Sequence, residues 1–329
     1  MSIDQGLRDR QAEPHAVTAG DHGKEDTFLQ FLRDTGPVVL DLDGYHQPVS
    51  DIADGELAQN ARGDTDHTLV SRRSYAVAHD VQKRLDQLVE HYGISGTVHN
   101  PEAARQADVA VLSVKPQRLD VVLQALQGCL KPEALVLSIV AGAPIVKISN
   151  GLDHSPVVRA MPNTPAQIGE GITVWTASET VTENQREMAR QILSALGEEI
   201  FMGEENYLDM ATALSGTGPA YVFLFMEAMV DAGVHLGFPR RIAEQLVTQT
   251  VRGSVDFYLK NLGDNGSPIH LAHLRNQVTS PGGTSAAALY YLEKAGFRTA
   301  ISRAVWAAFE RSQELGKEAK TQPPKDGDA

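Results

Sequence analysis

Cysteine is almost missing: Cys129 is the one cysteine in 329 residues. That excludes an intrachain disulfide and a zinc site built from clustered thiolates. A reducing, cytoplasmic setting is the expectation. The 11 histidines are scattered, with no HExxH or comparable pair. No metal site is expected, and His154 and His235 read as surface or capping residues. Positive charge is in short supply, with 29 Lys and Arg against 42 Asp and Glu and a formal net charge of −13. Nucleic-acid and anionic-membrane binders need a basic footprint, so both classes are argued against; a local basic pocket for a phosphate is not. No apolar run is expected to span a membrane. The start, MSIDQGLRDRQAEPHAV, lacks the apolar core of a signal peptide.

What is present is ordinary globular material, 42% hydrophobic and 22% charged. The length suggests about two domains. Residues 1–35 read as a disordered or loosely packed leader. From residue 36 to 203 short apolar runs alternate with helical patterns. PVVLDLDG, HTLVS, GTVHN, DVAVLSV, ALVLSIVAG, PVVRAMP, GITVWTA and EEIFM read as strands. The runs DVAVLSV and ALVLSIVAG are apolar without alternation, as strands buried on both faces are. Helices are expected at Val77–Tyr92, where apolar residues recur at helical spacing, and over PEAARQA, LDVVLQALQG, PIVKISNGL and ENQREMARQILSALG. This order predicts an α/β Rossmann-like, doubly wound, mostly parallel sheet, with ligands at the carboxyl ends of its strands. From 204 to 317 only helical patterns remain, rich in Ala and Gly, which predicts an all-α domain for packing or for sharing between subunits. Residues 318–329 read as a flexible tail.

Three constellations carry chemistry. Ser71, Arg72 and Arg73 follow the HTLVS strand, where a dinucleotide fold meets the adenosine ribose; an Arg fork there matches a 2′-phosphate. Ser113, Lys115 and Pro116 end the DVAVLSV strand, and Ala141 and Gly142 end the next. A helix start and a Lys at the first suit phosphate or ribose, and the small side chains at the second would let a flat ring approach. The third is QVTSPGGTSAAAL. Thr279 and Ser280 precede a Pro-Gly-Gly turn, and Thr284 and Ser285 open a helix. Unpaired N–H groups at that helix start, with hydroxyls around them, suit a small carboxylate. An N-cap with an ordinary turn explains one of those hydroxyls, not four.

SVKPQ, IVAGAPI, RAMPNTPAQIGEGITVW, ALSGTGPAYVF, DAGVHLGFPRRIA and VTSPGGTSAAALYYLEKAGFRTAI together resemble Δ1-pyrroline-5-carboxylate reductases, from about Thr68 to Lys317. The resemblance implies a Rossmann domain followed by a helical dimerisation domain, assembled as a dimer or larger ring. It implies NADPH, with NADH possible, as hydride donor to a cyclic imino acid, giving L-proline. It places Ser71 and Arg72 at the adenosine end, next to Arg73. Asn100, Ser113, Lys115 and Pro116 fall along ribose and diphosphate, and Ala141 and Gly142 near the nicotinamide. Thr279, Ser280, Gly283, Thr284 and Ser285 form the substrate pocket.

One departure stands out. Such reductases begin with a strand, G-x-G-x-x-[GA] and a helix. Here that slot reads VVLDLDGYHQPVSDIADGELAQNARGDTD, with isolated Gly44, Gly55 and Gly63 and with Asp41, Asp43, Asp51 and Asp54 where a diphosphate would sit. Like charge repels the diphosphate, and no glycine pair permits close backbone approach. Three readings stay open: a reductase gripping the diphosphate otherwise, a non-catalytic oligomerisation protein, or a reading-frame slip between about Gly36 and Thr68. The slip hypothesis predicts that one of the other two nucleotide frames across this stretch encodes G-x-G-x-x-[GA]; inspection of the gene decides it, and absence from both rejects it.

Overall fold

The structure, a computed structural model, describes residues 96–262 and 269–321, together with 86, 89, 90, 266 and 267. The leader, the PVVLDLDG and HTLVS strands, the Gly-poor slot and most of the Val77–Tyr92 helix lie outside the described residues.

Five strands form one sheet in sequential order: β1 (Val109–Leu112), β2 (Leu135–Ser138), β3 (Val157–Met161), β4 (Gly171–Ala177) and β5 (Gly197–Phe201). β1, β2 and β3 run parallel, in the register Leu112↔Ser138 and Ser138↔Arg159. All four residues of β2 are buried, as its unbroken apolar run predicts. Its side chains alternate between two cores. Val136 packs with Leu119, Leu123, Ile148 and Leu152 on one face. Leu135 and Leu137 pack with Trp175, Ala189 and Leu193 on the other. The first core lies under α2 (Leu119–Leu126) and α3 (Ile145–Leu152), the second under α4 (Glu183–Ser194).

β4 runs antiparallel to β3. Between them stands only a 3-10 turn (Thr164–Ile168), too short for the helical crossover that a parallel neighbour requires. Asn163 closes this connection, its Oδ1 accepting the Ile172 amide at 3.0 Å. α4 starts at a capping box: Thr182 Oγ1 accepts the Gln185 amide while Gln185 Oε1 accepts the Thr182 amide. One expected strand fails. Gly96–His99 of GTVHN are irregular, and Asn100 opens a short helix, α1 (Asn100–Ala104). Pro101 in its first turn suits a helix start and offers no donor to a sheet ladder.

After β5 the described chain is helical: α5 (Tyr207–Ala211), α6 (Gly218–His235), α7 (Arg240–Lys260), α8 (Leu271–Gln277), α9 (Thr284–Lys294) and α10 (Phe297–Thr321). A π turn, Thr212–Gly216, joins α5 to α6. Its wide pitch leaves carbonyls that hydroxyls then meet. Ser215 Oγ donates to Ala211 O at 3.0 Å and Tyr221 Oη to Ala213 O at 3.1 Å. α6 and α7 pack closely because Gly233 leaves room for Ala243, whose Cβ would stand 3.0 Å from any added side-chain carbon.

The stretch Tyr207–His235 is long and apolar enough, by length and composition, to cross a membrane. This corrects the expectation that no run reaches that length. Hydropathy averages over Ser215, Thr217, Glu227 and Asp231, which break the run when it is read residue by residue.

The helical half meets the sheet at a charged cluster. Arg159 in β3 is 5% exposed. Its two terminal nitrogens reach Glu205 Oε1 and Asp209 Oδ1, each at 3.0 Å. Glu205 Oε1 also accepts the Ile145 amide at 2.7 Å, and Asp209 Oδ1 accepts from Ser312 Oγ at 3.1 Å.

Leu137 is 1% exposed at the centre of the α4-side core. Leu137→Ala is expected to cost about 2–5 kcal/mol by lost transfer energy and a cavity, read as a lower urea midpoint at unchanged m-value.

Candidate functional site

Parallel pairing of β1 with β2 sets two candidate groups side by side. Ile139 N donates to Leu112 O at 3.0 Å, so the exits of both strands are neighbours. Half-buried Ser113 leaves β1, and exposed Lys115 stands before a 3-10 turn, Pro116–Arg118, that runs directly into α2. The Arg118 amide donates to Lys115 O at 2.9 Å, closing that turn. Pro116 fits because the first helical position needs no donor. Asn100 opens α1 on the chain leading into β1. Ser71, Arg72 and Arg73 lie outside the described residues.

The exit of β2 differs from expectation in one respect. Gly142 has φ +69, and a Cβ there would meet Leu315 Cβ at 3.0 Å, Gly316 N at 3.2 Å and Ser312 O at 3.2 Å. The space left by its missing side chain is taken by the backbone of α10 rather than left open to a flat ring. Gly316 reciprocates: its own Cβ would stand 2.9 Å from Gly142 O. Ala141 beside it is half-buried.

The third group forms a turn built as its residues dictate. Gly283 N donates to Ser280 O at 3.0 Å. Pro281 takes the second position and Gly282 the third, with φ +70, the positive φ that a type II turn demands there. A side chain at Gly283 would stand 3.2 Å from Ser280 O. α9 then begins at Thr284 with Gly283 as N-cap and no side-chain cap. Its early N–H groups are therefore not met by a capping side chain, and they carry the positive end of the helix dipole. The expected four hydroxyls divide. Thr279 Oγ1 donates back to Arg275 O at 2.7 Å and so secures the end of α8. Ser280 and Thr284 are exposed and Ser285 half-buried. The turn's own bonds run within the helical half, and α9 packs principally on α10.

Sequence reasoning passed over Arg159, Glu205, Asp209 and Ser312. Two signals were there: an Arg inside the apolar run VVRAM, and two acids four residues apart at a helix start, on one face. It also passed over the hydroxyls of the π turn, whose pitch no periodicity announces. Among the described residues no cluster of His, Cys, Asp and Glu suits a metal ion.

Residues 205–315 match the family model described as pyrroline-5-carboxylate reductase dimerisation. Residues 63–142 match the model described as NADP oxidoreductase coenzyme F420-dependent. A pyrroline-5-carboxylate reductase of Synechocystis is 42% identical over 254 residues, 76% of this chain and 92% of that protein. One from Pseudomonas aeruginosa is 42% identical over 233 residues, 70% of this chain and 83% of that one. Among solved structures, Plasmodium falciparum pyrroline carboxylate reductase with NADP bound has TM-score 0.63 at 35% identity, covering 68% of this chain and 82% of that one. The Coxiella burnetii enzyme has TM-score 0.63 at 38% identity, covering 71% and 85%.

Gly282→Ala is expected to destabilise the protein by about 1 kcal/mol or more, because a side chain is strained at positive φ; chemical denaturation measures it.

Proposed function

This chain belongs to the pyrroline-5-carboxylate reductase family, and on that premise we propose that it reduces 1-pyrroline-5-carboxylate to L-proline with NADPH, NADH serving as an alternative donor. The observation that carries the reading is the Ser280–Gly283 turn with the uncapped start of α9 behind it. A five-membered imino acid presents one carboxylate and one C=N bond. The α9 start supplies positive potential for the carboxylate. Ser280, Thr284 and Ser285 supply hydroxyls that orient the ring.

The described cofactor side fits a dinucleotide on the chemistry of its donors: the Ser113 hydroxyl, the exposed Lys115 and the helix start beyond Pro116, at adjoining strand ends. Bound NADPH supplies a hydride to the imine carbon. The chain's own part is alignment and charge complementarity. An imine close to its own pKa can take its proton from solution, and its nitrogen then carries the proton that the product amine retains when the C=N electron pair moves onto it. No protein acid is then indispensable. Ser71, Arg72 and Arg73 are proposed for the 2′-phosphate, Asn100, Ser113, Lys115 and Pro116 for ribose and diphosphate, and Ala141 for the nicotinamide side, with Gly142 contributing through its backbone because α10 fills its side-chain space. Thr279 serves the pocket by holding α8 against the turn, and Gly283 by bringing backbone close.

The helical half exposes an apolar surface that one chain does not cover: Phe223 is 61% exposed, Leu224 66% and Tyr291 69%. A second copy, in a dimer or larger ring, buries it, and sets the turn of one chain against the strand ends of another. No nucleic acid or membrane enters this reading.

Purified protein is expected to oxidise NADPH only when the imino acid is present, with proline as product by chromatography. Ser285→Ala is expected to lower kcat/KM about threefold to tenfold, the worth of one orienting hydrogen bond. Sedimentation is expected to show a dimer or larger assembly, and the double change Phe223→Asp with Leu224→Asp to shift it toward monomer with loss of activity. An intact assembly that never oxidises NADPH would reject the reductase reading.

A further inference from the structure

We propose that Arg159 is a positioning residue for this reaction: through Glu205 and Asp209 it sets the turn at residues 140–144 against the helical half of the chain. The proposal rests on the reductase reading, which puts the nicotinamide beside that turn and the imino acid on the helical assembly, where the turn of a second copy reaches this chain's strand ends.

The geometry is a chain of contacts with Arg159 at its centre. Its guanidinium is held from two sides, by Glu205 Oε1 and Asp209 Oδ1, at 3.0 Å each. Glu205 passes the constraint to the sheet side, because the same oxygen accepts the Ile145 amide at 2.7 Å, directly after Pro144. Asp209 passes it to α10, because its Oδ1 accepts from Ser312 at 3.1 Å. α10 then returns to the turn: Ser312 O, Leu315 and Gly316 close over Gly142. The turn is thus gripped at Gly142 and at Ile145, and both grips trace back to one arginine.

Arginine suits the place. Its fork bonds two carboxylates at once, and a Lys ammonium is a compact charge without that planar geometry. The Arg159 side chain is 6% exposed, against 32% for Glu205 and 21% for Asp209. Its charge is therefore committed to these partners rather than to water. Without it the two acids would face each other as like charges, and the sheet would shift against the helical assembly that sets where donor and acceptor align. Hydride transfer is sensitive to such a displacement, since a misplacement on the order of 1 Å reaches the rate directly.

The test uses the full-length protein, Arg159→Lys and Glu205→Gln, with three readouts. Hydrogen exchange is followed in peptides covering 140–146 and 309–316, with 183–194 as internal reference. Steady-state kinetics vary NADPH and imino acid separately. The isotope effect on kcat is measured with NADPH deuterated at the transferred position. Arg159→Lys is expected to speed exchange about tenfold in both linked segments and not in the reference. It is expected to lower kcat about tenfold with imino-acid KM within about threefold, and to raise the isotope effect. A smaller folded fraction lowers kcat too, but leaves the isotope effect unchanged. Glu205→Gln keeps an acceptor for the Ile145 amide and is expected to give the same pattern more weakly; it decides the matter if Arg159→Lys does not fold. Exchange in 140–146 that follows the reference segment, or an unchanged isotope effect, overturns the proposal. A wild-type chain that never oxidises NADPH overturns the reductase reading alone, and the exchange arm still decides whether Arg159 holds the turn.

Discussion

A buried guanidinium between two carboxylates joins the two halves of this molecule. Arg159 enters from the sheet, Glu205 from the turn before α5 and Asp209 from α5 itself. A charge this deep is tolerated only when paired and hydrogen-bonded, because desolvating it alone costs several kcal/mol. The cluster meets that condition with two further donors, the Ile145 amide and the Ser312 hydroxyl. Apolar packing between sheet and helices is non-directional and tolerates sliding. The cluster does not, since a guanidinium fork bonds both acids only in one orientation. The orientation of the two halves is therefore constrained here by polar geometry as well as by apolar contact.

The same logic explains the glycines at the junction. Where α10 crosses the exit of β2, Gly142 and Gly316 face each other, and a Cβ on either would press the other's backbone at about 3 Å. Gly216 in the π turn likewise leaves room for the Met161 methyl, which an added Cβ would meet at 2.9 Å. Small residues allow backbones to approach at the points where two elements of unlike geometry meet. Away from the junction, the α6–α10 surface keeps large apolar side chains outward, Phe223, Leu224 and Tyr291 among them.

Much of this was legible in the residues. The unbroken apolar runs of β1 and β2 announced strands covered on both faces, and the order of runs announced a parallel sheet under helices. The Pro-Gly-Gly turn announced both its conformation and the helix start behind it, because only glycine takes the positive φ at Gly282 without strain. GTVHN misled because β-branched content over five residues is weak against the Pro that follows and favours a helix start. The membrane-length stretch at Tyr207–His235 was missed because scattered hydroxyls and acids conceal an average that remains apolar.

Local pattern by itself determined the elements, the turn chemistry and the types of group available, since each depends on neighbours within a few residues. It also carried the motifs by which the family is recognised. Only the tertiary structure decided which of those groups meet. Arg159, Asp209 and Ser312 are separated by 50 residues or more along the chain, and no periodicity links them. Folding brings them within hydrogen-bond distance because a parallel strand and two helix faces converge there. The same convergence gives Gly142 to the last helix, a fate that no reading of IVAGAPI alone reveals.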